Sequence, residues 1–256
     1  MLKLDFLPQA TQQLFHRLKE DPRLGSFTLV GGSALALHIG HRMSEDLDFN
    51  CFGHDLPCFK LDALLAELSD SGCEIRSLIP AEKKVSFKIN TGQDLDRHIQ
   101  DYAIDGVKVT FHARQAPERP RAQIEFLIAS PKHELTPSGF SVMGLDGLLV
   151  MKTLVVYDRV KSRDLYDLMV LTRDHGYTLK DAFAAIAAYQ PARHQDPEHF
   201  KSVLTGLVPL NKDDEGFASI QLHIKMKDIY QYFKKLLNAY EVQAVSDILQ
   251  SKHKLK

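Results

Sequence analysis

The stretch Val30-Gly31-Gly32-Ser33, followed after segment 34–45 by Asp46-Leu47-Asp48-Phe49, constrains this chain more than any other. The apolar run Phe27-Thr28-Leu29-Val30 ends in two glycines and reads as a buried strand entering a tight turn. Ser33 to Ile39 reads as a helix closed by Gly40, and Ser44 to Cys51 as a second strand. Side chains alternate along a strand, so the two carboxylates of a D-x-D repeat share one face. Two anionic groups so close are costly unless a cation sits between them. The Gly-Gly-Ser turn offers backbone N–H groups and a hydroxyl to a phosphate. A phosphate cradle beside a metal-binding pair is the equipment for transferring a nucleotide. Plainer uses exist for the same residues. A D-x-D pair can sit on a solvated strand edge, and Ser33 is a good helix N-cap, a role compatible with anion binding.

Composition removes several function classes. With 32 basic and 33 acidic residues the net charge is near zero, so a globally basic nucleic-acid binder is not indicated. Cys51, Cys58 and Cys73 form neither an even set nor a C-x-x-C pair and read as free thiols in a reducing cytoplasm. The N-terminus lacks a signal-peptide pattern. The most apolar stretch, Val142 to Tyr157, is interrupted by Asp146 and Lys152, so no membrane span is expected. The glycines form neither a G-x-G-x-x-G nor a G-x-x-x-x-G-K pattern, which excludes a dinucleotide fold and a P-loop.

Residues 8–20 read as an amphipathic helix and 61–69 as another. Strand-like runs follow at 74–79, 85–89, 107–113 and 124–128, with 114–121 as a loop. The two prolines in 131–139 mark the expected domain boundary. From Leu145 the pattern turns helical, over 145–160, 163–175, 179–189, 197–206 and 217–250. Lys152 lies in the apolar run 148–154, where a lysine either snorkels to the surface or points at an anion. On one unbroken helix Lys152, Arg159 and Arg163 fall on one face with Asp167 nearby. Alternatively, Ser162 breaks that helix and caps a second.

The motif Gly31-Gly32-Ser33-Ala34-Leu35-Ala36-Leu37, then Arg42-Met43-Ser44-Glu45-Asp46-Leu47-Asp48-Phe49, resembles the AbiEii-type nucleotidyltransferase toxins of the polymerase-β-like superfamily. A second block, Lys152, Arg159, Lys161 and Arg163-Asp164-Leu165-Tyr166-Asp167-Leu168, is similar to that family's later K…R…RDLxDL pattern. Together the blocks span about residues 27–172. The resemblance implies an α+β fold: a polymerase-β-like core of mixed sheet and helices over 1–135, then a helical domain over 136–256. It implies a metal-dependent nucleotidyltransferase that moves a nucleoside monophosphate from an NTP to an acceptor hydroxyl, with tRNA or another RNA as acceptor. It also implies a toxin with a cognate antitoxin.

In that frame Asp46 and Asp48 are catalytic and ligate Mg²⁺ or Mn²⁺. Gly31, Gly32, Ser33, Arg42 and Ser44 bind the nucleotide, Lys152 contacts the triphosphate, and Arg159, Arg163 and Asp167 support it. Asp164 orients Lys152 or acts as general base; the plainer reading is an acid favoured by a helix dipole. Many relatives carry a third carboxylate on a later strand, and strand 106–112 has none. Glu125 is the candidate third metal ligand if its strand lies beside the D-x-D strand. Two rival functions remain. A small-molecule nucleotidyltransferase would use an acidic pocket from Asp94, Asp96, Asp101 and Asp105, whereas a basic groove from Arg114, Arg119, Arg121, Lys161 and Arg163 would favour RNA. A catalytically idle binding domain would use the helical stripe Ile229, Tyr230, Phe233 and Leu236 as a partner surface; more often such a stripe is core.

Overall fold

The computed structural model describes residues 2–113, 121–190, 195–220 and 222–254. Among the described residues, seven strands form one mixed sheet: β1 (Phe27–Val30), β2 (Leu47–Cys51), β3 (Ile75–Ser77), β4 (Ile99–Ile104), β5 (Val107–His112), β6 (Lys132–Glu134) and β7 (Ser141–Met143). Their order across the sheet is β3-β4-β5-β2-β1-β7-β6. The β2–β5 and β1–β7 pairs are parallel and the other four are antiparallel. The helices are α1 (Gln9–Leu18), α2 (Gly31–Ile39), α3 (Cys58–Asp70), α4 (Ala81–Thr91), α5 (Arg121–Ala129), α6 (Leu145–Asp158), α7 (Ser162–Asp174), α8 (Leu179–Tyr189), α9 (Pro197–Thr205) and α10 (Met226–Lys254). The expected α+β class, with a mixed sheet first and helices after, is what is observed. Among the described residues no helix is long and apolar enough to cross a membrane.

One face of the sheet is aromatic. Phe49 stacks on Phe111, and Phe27 and Phe140 meet that pair edge-on, with Phe15 of α1 against Phe140. These rings are at most 2% exposed, so they form the core of the first unit. Alternation sends Thr28, Asp48, Asn50 and Thr110 to the opposite, polar face.

Four expectations need correction. Segment 85–89 is not a strand but the middle of α4. Pro80 sits just before that helix, Glu82 in its first turn and Gly92 just beyond it, which are helix start and stop signals. Segment 124–128 is not a strand but part of α5, whose Ala, Gln, Glu and Leu are good helix formers. Strand β4 was not anticipated. It pairs with β5 around Asp105-Gly106, both at positive φ, the signature of a two-residue hairpin turn. Finally, the chain divides into compact units at Leu148/Leu149 and not near 135. The cause is β7, which adds to the sheet beside β1 and so belongs to the first unit.

The second unit is helical. Phe200 and Phe233 are fully buried, and Tyr157 and Phe183 pack their rings on Phe200. Helix α10 packs on α7, α8 and α9. Ile229, Phe233 and Leu237 are its buried stripe, so that face is core.

Candidate active site

Helix α2 starts directly after β1, with Val30 as N-cap and no side-chain cap. Gly31 has φ +74°, a left-handed conformation that costs an L side chain about 1–2 kcal/mol. The turn brings the helix start against β2, because Val30 lies opposite Asp48 in the antiparallel β1–β2 pair. A Cβ on Gly31 would lie 2.8 Å from Asp48 Oδ2. One on Gly32 would lie 2.6 Å from Arg42 Nη2 and 3.0 Å from Ser44 Oγ. Both glycines are therefore needed for close approach: a carboxylate sits on the first and a guanidinium on the second.

Ser33 does not cap the helix. It is the third residue of α2, 1% exposed, and its hydroxyl donates to Ser44 Oγ and to the Asp46 carbonyl. Its role is to tie α2 to the segment leading into β2, so no side chain caps the backbone N–H groups of the first turn. Arg42, 7% exposed, also donates to the Met43 carbonyl at 3.0 Å. Asp46 precedes the strand and Asp48 lies within it, so the D-x-D straddles the start of β2. The first unit thus brings together Gly31, Gly32, Ser33, Arg42, Ser44, Asp46 and Asp48.

Glu125 does not join them. The strands beside β2 are β1 and β5, and Glu125 is on α5, exposed and paired with Arg121 at 2.6 Å, one helical turn away. The position beside Asp48 on β5 is Thr110. Among the described residues no group of three or more His, Cys, Asp or Glu gathers as a metal site. Two carboxylates nevertheless suit Mg²⁺, which keeps several waters and takes further oxygens from substrate phosphates.

The sequence reading did not single out Asp101 of β4 as a site residue; it appeared only within an acidic run. Asp101 lies opposite Thr110, and its Oδ1 is buried with no hydrogen-bond partner among the described residues. The Asp-Gly hairpin signal at 105–106 was the clue that would have placed it on a strand. The other acids of the run are occupied. Asp94 pairs with Lys88, Asp96 with Lys84, and Asp105 accepts from the Glu74 N–H.

A second cluster lies in the second unit. The helix breaks after Asp158 and α7 begins at Ser162, so Lys152 and the aspartates are on separate helices. Lys152 Nζ lies 2.7 Å from both Asp164 Oδ1 and Asp167 Oδ2, with all three side chains at most 8% exposed. Half-exposed Arg159 reaches Asp164 Oδ2 at 3.2 Å. Burial drives the Asp164 carboxyl upward, but Lys152 and Arg159 outweigh it and hold the group below the usual carboxylate value. Lys152 and the half-exposed Arg159 balance the two aspartates, which is what lets Lys152, Asp164 and Asp167 stay buried.

Arg163 does not join this cluster. It pairs with Glu215 at 3.0 Å and donates to the Gly216 carbonyl. Lys161 pairs with Asp213, and Asp214 accepts from the Ser162 N–H and hydroxyl, capping α7. The acidic loop 213–215 thus takes up Lys161 and Arg163, two of the residues of the expected basic groove. Arg121 is paired, and Arg114 and Arg119 lie outside the described residues.

A model of the nucleotidyl transferase AbiEii toxin family, of type IV toxin–antitoxin systems, matches residues 12–250. An uncharacterized protein of Aquifex aeolicus is 27% identical over 156 residues, a span covering 60% of this chain and 62% of that protein. Among solved structures, a putative nucleotidyltransferase from H. pylori is similar at 17% identity, with a TM-score of 0.48 and coverage of 90% of this chain and 92% of the other. JHP933 from Helicobacter pylori is similar at 17% identity and a TM-score of 0.47, covering 95% and 99%. With the Gly-Gly-Ser and D-x-D segments joined at the start of α2 and the family match running through both units, the chain belongs to the AbiEii nucleotidyl transferase toxin family.

Proposed function

We propose that this protein transfers a nucleoside monophosphate from an NTP to the hydroxyl of an RNA such as tRNA, releasing pyrophosphate. We further infer that it is the toxin of a toxin–antitoxin pair, held in check by a cognate antitoxin, and acts in the cytoplasm. The observation that carries the chemistry is the junction of β1, α2 and β2. An uncapped helix start, with a guanidinium over Gly32 and a carboxylate over Gly31, is suited to a phosphate on one side and a divalent cation on the other. RNA as acceptor rests on the family resemblance. Against a cationic small-molecule acceptor stands the pairing of Asp94 and Asp96 with lysines.

Phosphoryl chemistry of this kind asks the protein mainly for positioning and charge compensation. The N–H groups of the first turn of α2 and the Arg42 guanidinium would hold phosphate oxygens. Asp46 and Asp48 would hold Mg²⁺ or Mn²⁺, which supplies charge neutralisation for the departing pyrophosphate. Lys152, held between Asp164 and Asp167, would be a fixed positive charge of the second unit.

The test is transfer of label from each α-³²P nucleoside triphosphate to total RNA with Mg²⁺ or Mn²⁺, comparing wild type with Asp48→Asn. Labelled RNA in the wild type and at least a hundredfold less in the variant is expected. Pyrophosphate release driven by small cationic metabolites, with RNA unlabelled, would point to the small-molecule enzyme. Nucleotide binding without any turnover would leave a binding domain.

A further inference from the structure

Helix α1 buries the stripe Thr11, Leu14, Phe15 and Leu18. A core-facing helix stripe is apolar as a rule, and Thr11, 2% exposed, is the polar exception in it. A hydroxyl so placed costs free energy unless it finds a partner, and valine would fill nearly the same shape without that cost. The Thr11 hydroxyl donates to the Glu45 carbonyl at 2.9 Å, across to the segment that leads into β2. The chain just before α1 holds that segment a second time, where the Phe6 carbonyl accepts from the Ser44 N–H at 3.0 Å.

Asp46 needs such support, because it lies outside both ladders of β2. The register with β1 begins at Asp48 and the register with β5 at Leu47. Peptide units are planar. The Glu45 carbonyl and the Asp46 N–H share one plane, and the Asp46 carbonyl and the Leu47 N–H share the next. Thr11 of α1 holds the first plane through the Glu45 carbonyl, and Ser33 of α2 holds the second through the Asp46 carbonyl. With the planes on either side of its Cα fixed, Asp46 has its φ and ψ set and its Cα–Cβ bond aimed without help from the sheet. Helix α1 is itself anchored, since Phe15 meets Phe140 edge-on in the aromatic core. Asp46 and Asp48 are both half-buried, so the brace is made inside the protein while the two acids stay within reach of solvent.

We propose that Thr11 is a positioning residue for Asp46, and that its hydroxyl sets the affinity of the D-x-D pair for a divalent cation. The role rests on the metal-binding pair proposed above. A cation shared by two carboxylates needs both in place at once, and Mg²⁺ demands near-octahedral geometry from its oxygens. Asp48 is placed by its ladder, Asp46 by two hydroxyls from two helices. Losing the Thr11 bond frees the Glu45–Asp46 peptide to turn, and the Asp46 carboxylate must then be ordered as the ion binds, which weakens binding. Removing a group that orients a metal ligand lowers metal affinity by about 10–100-fold. Thr11 acts through the backbone, so its effect is expected at the lower end of that range.

The experiment titrates Mn²⁺ alone into the full chain and follows the free ion by its EPR signal, with thermal melting alongside, for wild type, Asp48→Asn, Thr11→Val and Thr11→Ser. Binding by wild type that is lost in Asp48→Asn places the ion at the D-x-D pair. Expected for Thr11→Val, which keeps the shape and removes the hydroxyl, is a cooperative melt and a Kd for Mn²⁺ raised about tenfold. Thr11→Ser, which keeps the hydroxyl, is expected to bind within about threefold of wild type. Binding by Thr11→Val within about twofold of a wild type that holds Mn²⁺ overturns the role of Thr11 and leaves the metal pair standing. Thr11→Ser as weak as Thr11→Val, or a Thr11→Val chain without a cooperative melt, gives position 11 a packing role and also overturns the proposal. Wild type and Asp48→Asn that bind Mn²⁺ alike, or not at all, overturn the metal pair and this proposal together.

Discussion

At the scale of single residues, Gly31 carries two constraints at once, a left-handed φ and a carboxylate against its Cα. Gly31→Ala is expected to cost about 1–3 kcal/mol in urea denaturation. It should also slow transfer at least tenfold, because the new methyl group and the Asp48 carboxylate cannot both keep their places. Lys152 makes a different case. Removing one partner of a buried charged cluster leaves the others uncompensated, so Lys152→Met should destabilise by about 3–5 kcal/mol. Adding Asp164→Asn and Asp167→Asn should return most of that loss, which denaturation of the triple variant would reveal. Asp164 titrates below the ordinary carboxylate range once folded. A group with a depressed folded pKa contributes stability that is fully present above its unfolded value, near 4, and is lost as pH falls through the folded value. The stability gap between wild type and Asp164→Asn should therefore be flat from about pH 7 to 5 and shrink below about pH 4. Equal gaps at pH 7 and pH 3 would contradict this.

At the scale of elements, the contrast lies between segments whose pattern met their packing and those whose pattern did not. The junction β1–α2–β2 was legible because an apolar run, two glycines and an acid pair leave few alternatives. Helices α1, α3 and α6 to α9 followed from apolar periodicity, with the helix break at Asp158 decided by the loop 211–216 that caps α7. Short apolar runs such as Val85 to Ile89 carry no period long enough to separate strand from helix. Helix α4 has no buried residue, and Val85 and Ile89 are more than half exposed. With so little tertiary support, its amides should exchange with deuterium far faster than those of β2 and β5, the central strands. Comparable protection in α4 and β5 would show a packing partner for that helix.

At the scale of the whole molecule, the two units depend on sheet membership. β7 stands beside β1, and a chain ending at residue 135 would strip that neighbour from the sheet. Such a fragment should lose the cooperative melt of the full chain in circular dichroism. Local chemistry along the chain was enough for the family, the α+β class, the close contacts of residues 31–48 and the second block around Lys152. Those features arise from residues near one another in sequence, where spacing and residue type dictate geometry. The row from Asp48 through Thr110 to Asp101 was beyond its reach, as were the placement of β7 and the pairing of Lys161 and Arg163 with loop 213–215. Each of these is a pairing between distant segments, and strand order and register follow from competition among all the strands for burial and hydrogen bonds, not from any one stretch of chain.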